Sequence, residues 1–252
     1  FLILEEIKMK DLKLNKVVLA YSGGLDTSVM ISWLKENYGC EVIAVAADVG
    51  QDSDLKGIEQ KALSTGASKI FVEDLREEFA SDFVFETLKA GAKYENQYLL
   101  GTAFARPIIA RRMVEIAHEE NADAIVHGCT GKGNDQVRFE TSIRYFDPDI
   151  KIIAPWRYWD IKSREQEEEY AMKRNIPLSK KTGCQYSEDK NLWHISHEGL
   201  ELESPSNAPN YDNFLEWIKK VEDSDDKAEY ISIEFKDGVP ISINEKELKW
   251  IC

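Results

Sequence analysis

The stretch Lys16–Ser28, KVVLAYSGGLDTS, decides how the rest of the chain reads. After Lys16 a mostly apolar run, Val17–Tyr21, has the make-up of a buried strand. Gly23 and Gly24 follow, and Asp26, Thr27 and Ser28 open an amphipathic run, VMISWLKEN. The order is strand, tight glycine turn, helix start. Glycine lets the backbone approach a ligand closely. The N–H groups at a helix start carry about half a positive charge. With the hydroxyls of Ser22, Thr27 and Ser28, such a loop suits a pyrophosphate. An ordinary βα turn capped by Asp26 is the plain alternative, but it needs neither the paired glycines nor the three hydroxyls. The loop is not a Walker sequence, and it lacks the GxGxxG spacing of dinucleotide folds.

SGGLDTS resembles the pyrophosphate-binding loop of the ATP pyrophosphatases. Those enzymes cut ATP between its α and β phosphates. That likeness names only a superfamily, so the remaining elements matter. Glu41–Asp48 reads as a second buried strand ending in a Gly turn at Asp48–Gln51. Asp52–Gly66 is expected as a helix, with Leu55, Ile58, Ala62 and Leu63 at helical spacing and Gly66 as its stop. Residues 68–74 form a third strand. Leu75–Ala92 is expected to be helical, with Phe79, Phe83 and Leu88 near one face. Phe104–Glu120 is a further helix with Pro107 in its first turn. Residues 122–128 and 151–155 supply two more strands.

Strands alternating with helices imply an α/β fold: a doubly wound parallel sheet with helices on both faces. Ligands of such sheets lie at the carboxyl ends of the strands. The glycine loop, the Asp48–Gln51 turn and the turn after His127 should share one rim. Ser163–Asn175 carries a capping box, Ser163 with Gln166, and its charges, Glu165, Glu167, Glu168 and Glu169 among them, are expected to be solvated. After about residue 178 the build changes: turn formers crowd 203–213, an acidic tract runs over 222–226, and 230–244 reads as a hairpin turning at Asp237-Gly238. The division is a nucleotide-binding domain over 1–178 and part of a second, α+β domain over 179–252.

A second motif, HGCTGKGNDQVRFE (127–140), follows the fourth strand. Arg138 stands four residues after Asn134, so a helix over 134–146 puts both on one face. An amide, a guanidinium, the Thr130 hydroxyl and the Lys132 ammonium make a set able to grip carboxylates. A Gly-rich surface loop before an ordinary polar helix start is the alternative on spacing alone.

Together, AYSGGLDTS and GCTGKGNDQVRFE resemble the argininosuccinate synthase family, and YLLGTAFARP, IAPWR and NLWHIS match it in the same order. The resemblance implies an adenine nucleotide α-hydrolase-like fold and the condensation of citrulline with aspartate, using ATP, to argininosuccinate, AMP and pyrophosphate. It also implies the roles. Ala20, Tyr21, Ser22, Gly23, Gly24, Leu25, Asp26, Thr27 and Ser28 would hold ATP, with Ala47 and Gly128 beside the nucleotide. Thr130, Asn134 and Asp135 would bind aspartate. Tyr98, Asn134, Arg138, Ser187 and Ser196 would bind citrulline. Ala103 stands where many relatives place a citrulline-contacting Ser, so a backbone N–H would have to substitute. Asp26, Asp135 and Arg138 are the residues expected to carry the chemistry. Mg²⁺ is expected on the pyrophosphate, with Asp26 the nearest group to organise it. No general base is evident; a neutral amine or a substrate phosphate would serve. The family continues well beyond the equivalent of Cys252, into further citrulline-binding residues and an arm used to assemble a tetramer. This chain therefore reads as truncated. The competing readings are another enzyme with this loop, such as a tRNA thiolase, and a catalytically silent nucleotide-binding fragment.

Bulk properties narrow these choices. A net charge of −14 makes the chain a poor partner for nucleic acid, which needs Lys and Arg against phosphates. No apolar run approaches the ~20 residues of a membrane span. Residues 1–14 show no clear period, and FLILEEIKMK has glutamates in its apolar stretch, so it is not a secretory signal. Cys40, Cys129, Cys184 and Cys252 form no CxxC pair, which argues against zinc and for reduced thiols in the cytoplasm. Cys129 reads as a packing residue. His118 is expected to face solvent, His127 to line the rim, and His194 and His197 to be structural, with no carboxylate set for a metal. Arg106, Arg111 and Arg112 form a basic cluster fit either for an anion or for surface ion pairs.

Overall fold

A computed structural model describes residues 12–51, 55–131, 133–177, 186–212 and 215–248. The N-terminal stretch FLILEEIKMK, Asp52, Lys132, Cys184 and Cys252 lie outside the described residues. The chain divides into two compact units, Phe1–Leu75 with Ala103–Ser179, and Arg76–Thr102 with Lys180–Cys252.

The first unit is the α/β sheet. Its strands are β1 (Lys16–Ala20), β2 (Glu41–Asp48), β3 (Lys69–Asp74), β4 (Ala124–Val126) and β5 (Lys151–Ile153). All pair in parallel, in the order β3-β2-β1-β4-β5. Its helices are α1 (Leu25–Tyr38), α2 (Ile58–Thr65), α5 (Asp135–Phe146) and α6 (Arg164–Lys173). Helix α4 (Gly101–Glu119) enters this unit at Ala103. Strand β1 shows why both faces are covered: Val17, Val18 and Leu19 are wholly buried. Val17 and Leu19 pack with Val29, Met30 and Ile31 of α1, while Val18 packs with Met113 and Ile116 of α4 and Ile143 of α5. Near-continuous apolar strands are what a two-sided parallel sheet requires. Because β4 sits beside β1, the chain reverses its direction of travel between them, and this is the switch point where such sheets bind ligands.

Three helices depart from the sequence reading. Helix α2 starts at Ile58, not Asp52, because Gly57 caps it at φ 76°, a left-handed conformation that suits glycine. Leu63, expected on its apolar face, is half exposed. Helix α4 starts at Gly101, so Pro107 falls in its second turn and leaves the Ala103 carbonyl without its helical donor. Glu167 of α6 is not solvated: it is 2% exposed, because α6 packs on α1. Ser163 caps α6 and accepts from Gln166 N–H, but the Gln166 side chain accepts from Lys162 N–H rather than from Ser163.

The second unit is built differently. Its helical run α3 comprises Arg76–Glu78, Phe79–Val84 and Phe85–Lys89. The middle segment is a π turn, whose wider winding shifts the phase. Phe79 and Phe83 stay stacked at 6.4 Å, but Leu88 turns outward. Strands β6 (Ser187–Lys190) and β7 (Ile195–Glu198) pair antiparallel. Strands β8 (Ile233–Lys236), β9 (Val239–Ile243) and β10 (Lys246–Glu247) form an antiparallel sheet. Asp237 and Gly238 take φ 51° and 78°, the conformation a two-residue hairpin turn demands. Ile231 precedes the strand it was expected to join.

Candidate active site

The rim of the first unit is built from the loops that leave β1 and β4. After Tyr21 the backbone turns at Gly23, with φ 74°. A Cβ at Gly23 would meet Ile58 at 3.4 Å, so α2 seats directly on the loop. Gly24, not Asp26, is the N-cap of α1, and no side chain caps that helix. The N–H of Gly24 is taken by Ser22 Oγ, and the N–H groups of the helix's first turn that follow lie toward the rim.

The loop hydroxyls largely serve the loop itself. Ser28 Oγ donates to Gly24 O at 2.7 Å and lies 3.2 Å from the buried Tyr21 hydroxyl. Ser22 Oγ lies 3.3 Å from Thr27 Oγ1 and accepts from Gly24 N–H at 3.3 Å. Thr27 and Ser28 are buried, whereas Ser22 is exposed. Behind the loop, Gly50 N–H donates to Asp48 Oδ1 at 2.8 Å, and Gln51 Nε2 donates to the carbonyl of Ala47. Ala47 thereby keeps a fixed place at the end of β2.

Two charged residues at this loop escaped the sequence reading. Lys61 of α2 donates through Nζ to the Gly23 carbonyl. Ile58 and Lys61, three apart on one helix face, thus both touch the loop; the signal available was their i, i+3 spacing opposite a glycine turn. Glu167 is the other. Burial, and then the neighbouring Asp26 carboxylate, push its carboxyl up to about 8. One of its oxygens, Oε1, is buried with no hydrogen-bond partner.

The second loop lies against the first. A Cβ on Gly128 would stand 3.4 Å from Thr27 Cγ2 and 3.4 Å from Met30 Sδ. His127, expected on the rim, is wholly buried instead. Its Nδ1 accepts from Cys129 N–H at 3.3 Å, which leaves Nε2 to donate to Glu140 Oε1 at 3.1 Å. Burial raises the Glu140 carboxyl, but His127 and Arg157 outweigh it and hold the group below its ordinary value. Arg157 also donates to Gln136 Oε1 at 3.1 Å. The IAPWR stretch is thereby locked to the second motif.

Asn134 is the N-cap residue of α5; its amide makes no cap bond and is exposed, as is Thr130. Asp135, the first residue of α5, is held from both sides. Arg138 Nη1 donates to its Oδ1 at 2.8 Å, and Arg106 donates twice to Oδ2 at 2.9 and 2.7 Å. The basic cluster divides its labour: Arg106 faces the rim, Arg111 lies 3.5 Å from Glu115, and Arg112 binds Glu73 at 2.9 Å. Ala103 stands in the first turn of α4, where the helix provides its N–H with no acceptor.

The remaining candidates belong to the second unit. Gly101 is required there for a steric reason: a Cβ would lie 2.6 Å from His194 Cδ2. His194 Nε2 lies 3.1 Å from both N and Oγ1 of Thr102, and the Tyr98 ring stands 5.5 Å from the His194 ring. Trp193 Nε1 donates to Leu99 O at 2.9 Å. YLLGT and NLWHIS therefore interlock. Ser187 pairs with Glu198 and Ser196 with Asp189, which puts both serines on one face of the β6–β7 ribbon. The other face corrects the reading of His197, since Glu188, His197 and Glu216 bring ligand atoms within 4.8 Å of one another. Lys190 Nζ, 2.7 Å from Glu216, supplies a cation there already. No helix among the described residues is long and apolar enough to cross a membrane.

A parallel sheet with a glycine loop and a polar loop meeting at its switch point defines an α/β domain of the HUP type, with a rim built to receive a ligand. Comparison with known sequences gives the family. The profile described as Arginosuccinate synthase N-terminal HUP domain matches residues 16–177, and that of the Arginosuccinate synthase C-terminal domain matches residues 186–251. Argininosuccinate synthase of Clostridium perfringens is 60% identical over 236 residues, covering 94% of this chain and 59% of the relative. That of Acetivibrio thermocellus is 61% identical over 233 residues, covering 92% and 58%. The chain belongs to the argininosuccinate synthase family and spans somewhat under three fifths of these relatives' length. Membership sets aside the tRNA thiolase reading.

Proposed function

We propose that this chain carries the nucleotide and amino-acid sites of an ATP-dependent condensation of L-citrulline with L-aspartate, giving argininosuccinate, AMP and pyrophosphate. The observation that carries the reading is the contact of Gly128 with Thr27 and Met30, which makes the two loops one rim. ATP lies along Ala20–Ser28 with Ala47 and Gly128 beside it. Its pyrophosphate end meets the free N–H groups of α1 and the Lys61 ammonium. The citrulline ureido oxygen is a weak nucleophile and a poor leaving group. Its attack on the α-phosphorus expels pyrophosphate and leaves the oxygen adenylated, so the carbon now carries AMP as a good leaving group. The aspartate amine then attacks that carbon, and AMP departs with the oxygen. Asp135 holds the amine, Asn134 and Thr130 orient aspartate, and Arg138, Tyr98, Ser187 and Ser196 serve citrulline. Positioning and electrostatics at fixed dipoles provide most of the rate.

The donor set suits Mg²⁺, which takes one or two carboxylates together with substrate phosphates. Asp26 and Glu167 would hold it, Glu167 offering a buried oxygen with no other partner. Bound there, the ion would neutralise charge on the departing pyrophosphate. The reading extends to a cytoplasmic homotetramer formed by the longer protein, with neither nucleic acid nor membrane as a partner.

Labelled ATP tests the function. AMP and pyrophosphate should form only when citrulline and aspartate are both present. Nucleotide binding without turnover would make the chain a silent nucleotide-binding piece, and AMP formation without either amino acid would reject the proposal. Asp135→Ala should weaken aspartate use at least tenfold more than ATP binding.

A further inference from the structure

The family resemblance gives Arg106 no role, yet Arg106 grips Asp135 on the rim. Two of its N–H groups donate to one oxygen, Oδ2 of Asp135, at 2.9 and 2.7 Å. Its guanidinium carbon lies 5.9 Å from the centroid of the Phe139 ring, itself 7% exposed. Arg106 stands on α4 and Asp135 on α5, so the grip crosses from one helix to another. A carboxylate offers about four acceptor positions, two on each oxygen. Arg106 uses both on Oδ2, and Arg138 uses one on Oδ1.

We propose that Arg106 is a positioning residue that reduces Asp135 to a single acceptor site, at Oδ1, aimed at the amine of the amino-acid co-substrate. The inference rests on the reading of Asp135 as the contact for that amine. An amine held through one N–H keeps its lone pair directed elsewhere, as attack on carbon requires. A lysine cannot reproduce the arrangement, because its ammonium is a point charge without a fork.

The test is calorimetric titration of L-aspartate into the chain held with citrulline and an ATP analogue with a methylene group between its α and β phosphates. Arg106→Met should weaken aspartate binding about tenfold or more while analogue affinity stays within about twofold. Arg106→Lys should recover only part of the loss. The double variant with Asp135→Asn should bind aspartate no more weakly than Asp135→Asn alone, because Arg106 acts through Asp135. Unchanged aspartate affinity in Arg106→Met, or losses that simply add, would overturn the proposal. Should Arg106→Met fail to fold by circular dichroism, Arg106→Lys decides in the same way. If the unsubstituted chain binds analogue and citrulline but not aspartate, the co-substrate reading falls, and Arg106's role with it. If aspartate binds and only the variants disagree, Arg106's role falls alone.

Discussion

Both units contain strands of isoleucine, valine and phenylalanine, but only one buries them. Val17, Val18 and Leu19 of β1 are wholly buried, whereas Ile233 and Phe235 of β8 are 46% and 54% exposed. Parallel strands joined by helical crossovers acquire two covering layers as they form. An antiparallel ribbon acquires none from its own turns. The first unit is therefore held by a two-sided core, and the second by local interlocks such as that of His194 with Gly101, Thr102 and Tyr98. Stability and binding should respond to substitution differently in the two units.

The largest effect should come from breaking an interlock. Gly101→Val drives a branched side chain into His194, and the cost should be about 2–3 kcal/mol. Amide exchange should rise over 94–102 and 186–198 while ATP binding persists; equal loss of protection in β1 and β2 would erase the contrast.

A buried acid gives the next effect. Glu167 titrates near 8 when folded, against an ordinary value of 4.5. A raised folded value means that its contribution to stability is full below about pH 4.5 and is lost as pH rises through about 8. In metal-free protein, Glu167→Gln should thus raise the melting temperature at pH 9 by several degrees and leave it nearly unchanged at pH 4.5. The gain at pH 9 corresponds to about 2 kcal/mol after allowance for solvent and the nearby Arg164. A gain that does not depend on pH would contradict the assignment.

Smaller still is Lys61→Met, expected to weaken pyrophosphate binding about tenfold, or ~1.4 kcal/mol. The difference should shrink as salt is raised. Least of all, Phe235→Lys should change stability by under ~0.5 kcal/mol. It should lower self-association in sedimentation, because it interrupts an exposed apolar strand face.

How much of this was legible in the sequence follows the same division. The first unit's strands were readable because burial on both faces leaves uninterrupted apolar runs, as in Glu41–Asp48, where strand and expectation coincide. The glycine loop announced itself by composition. The start of α4 was hidden: Gly101 lay outside the expected helix Phe104–Glu120, and it opens the helix as the space His194 needs. Glu167 was hidden because it sits among three other glutamates, and only the packing of α6 on α1 tells which one turns inward. Lys61 and Arg106 were hidden because their partners lie 38 and 29 positions away along the chain. No local spacing encodes such a pairing.

The neighbourhood of β1 and β4 has a consequence in time. Lys16 N–H meets the Asp123 carboxylate across 107 positions. A ribosome making roughly 5–20 residues per second needs about 5–20 s to cover that interval. During the wait the glycine loop has been synthesised, but its opposite lip has not. A nascent chain stalled before Ala124 should leave labelled nucleotide in solution, and one released a few dozen residues later should retain it, so nucleotide capture marks the moment the sheet closes.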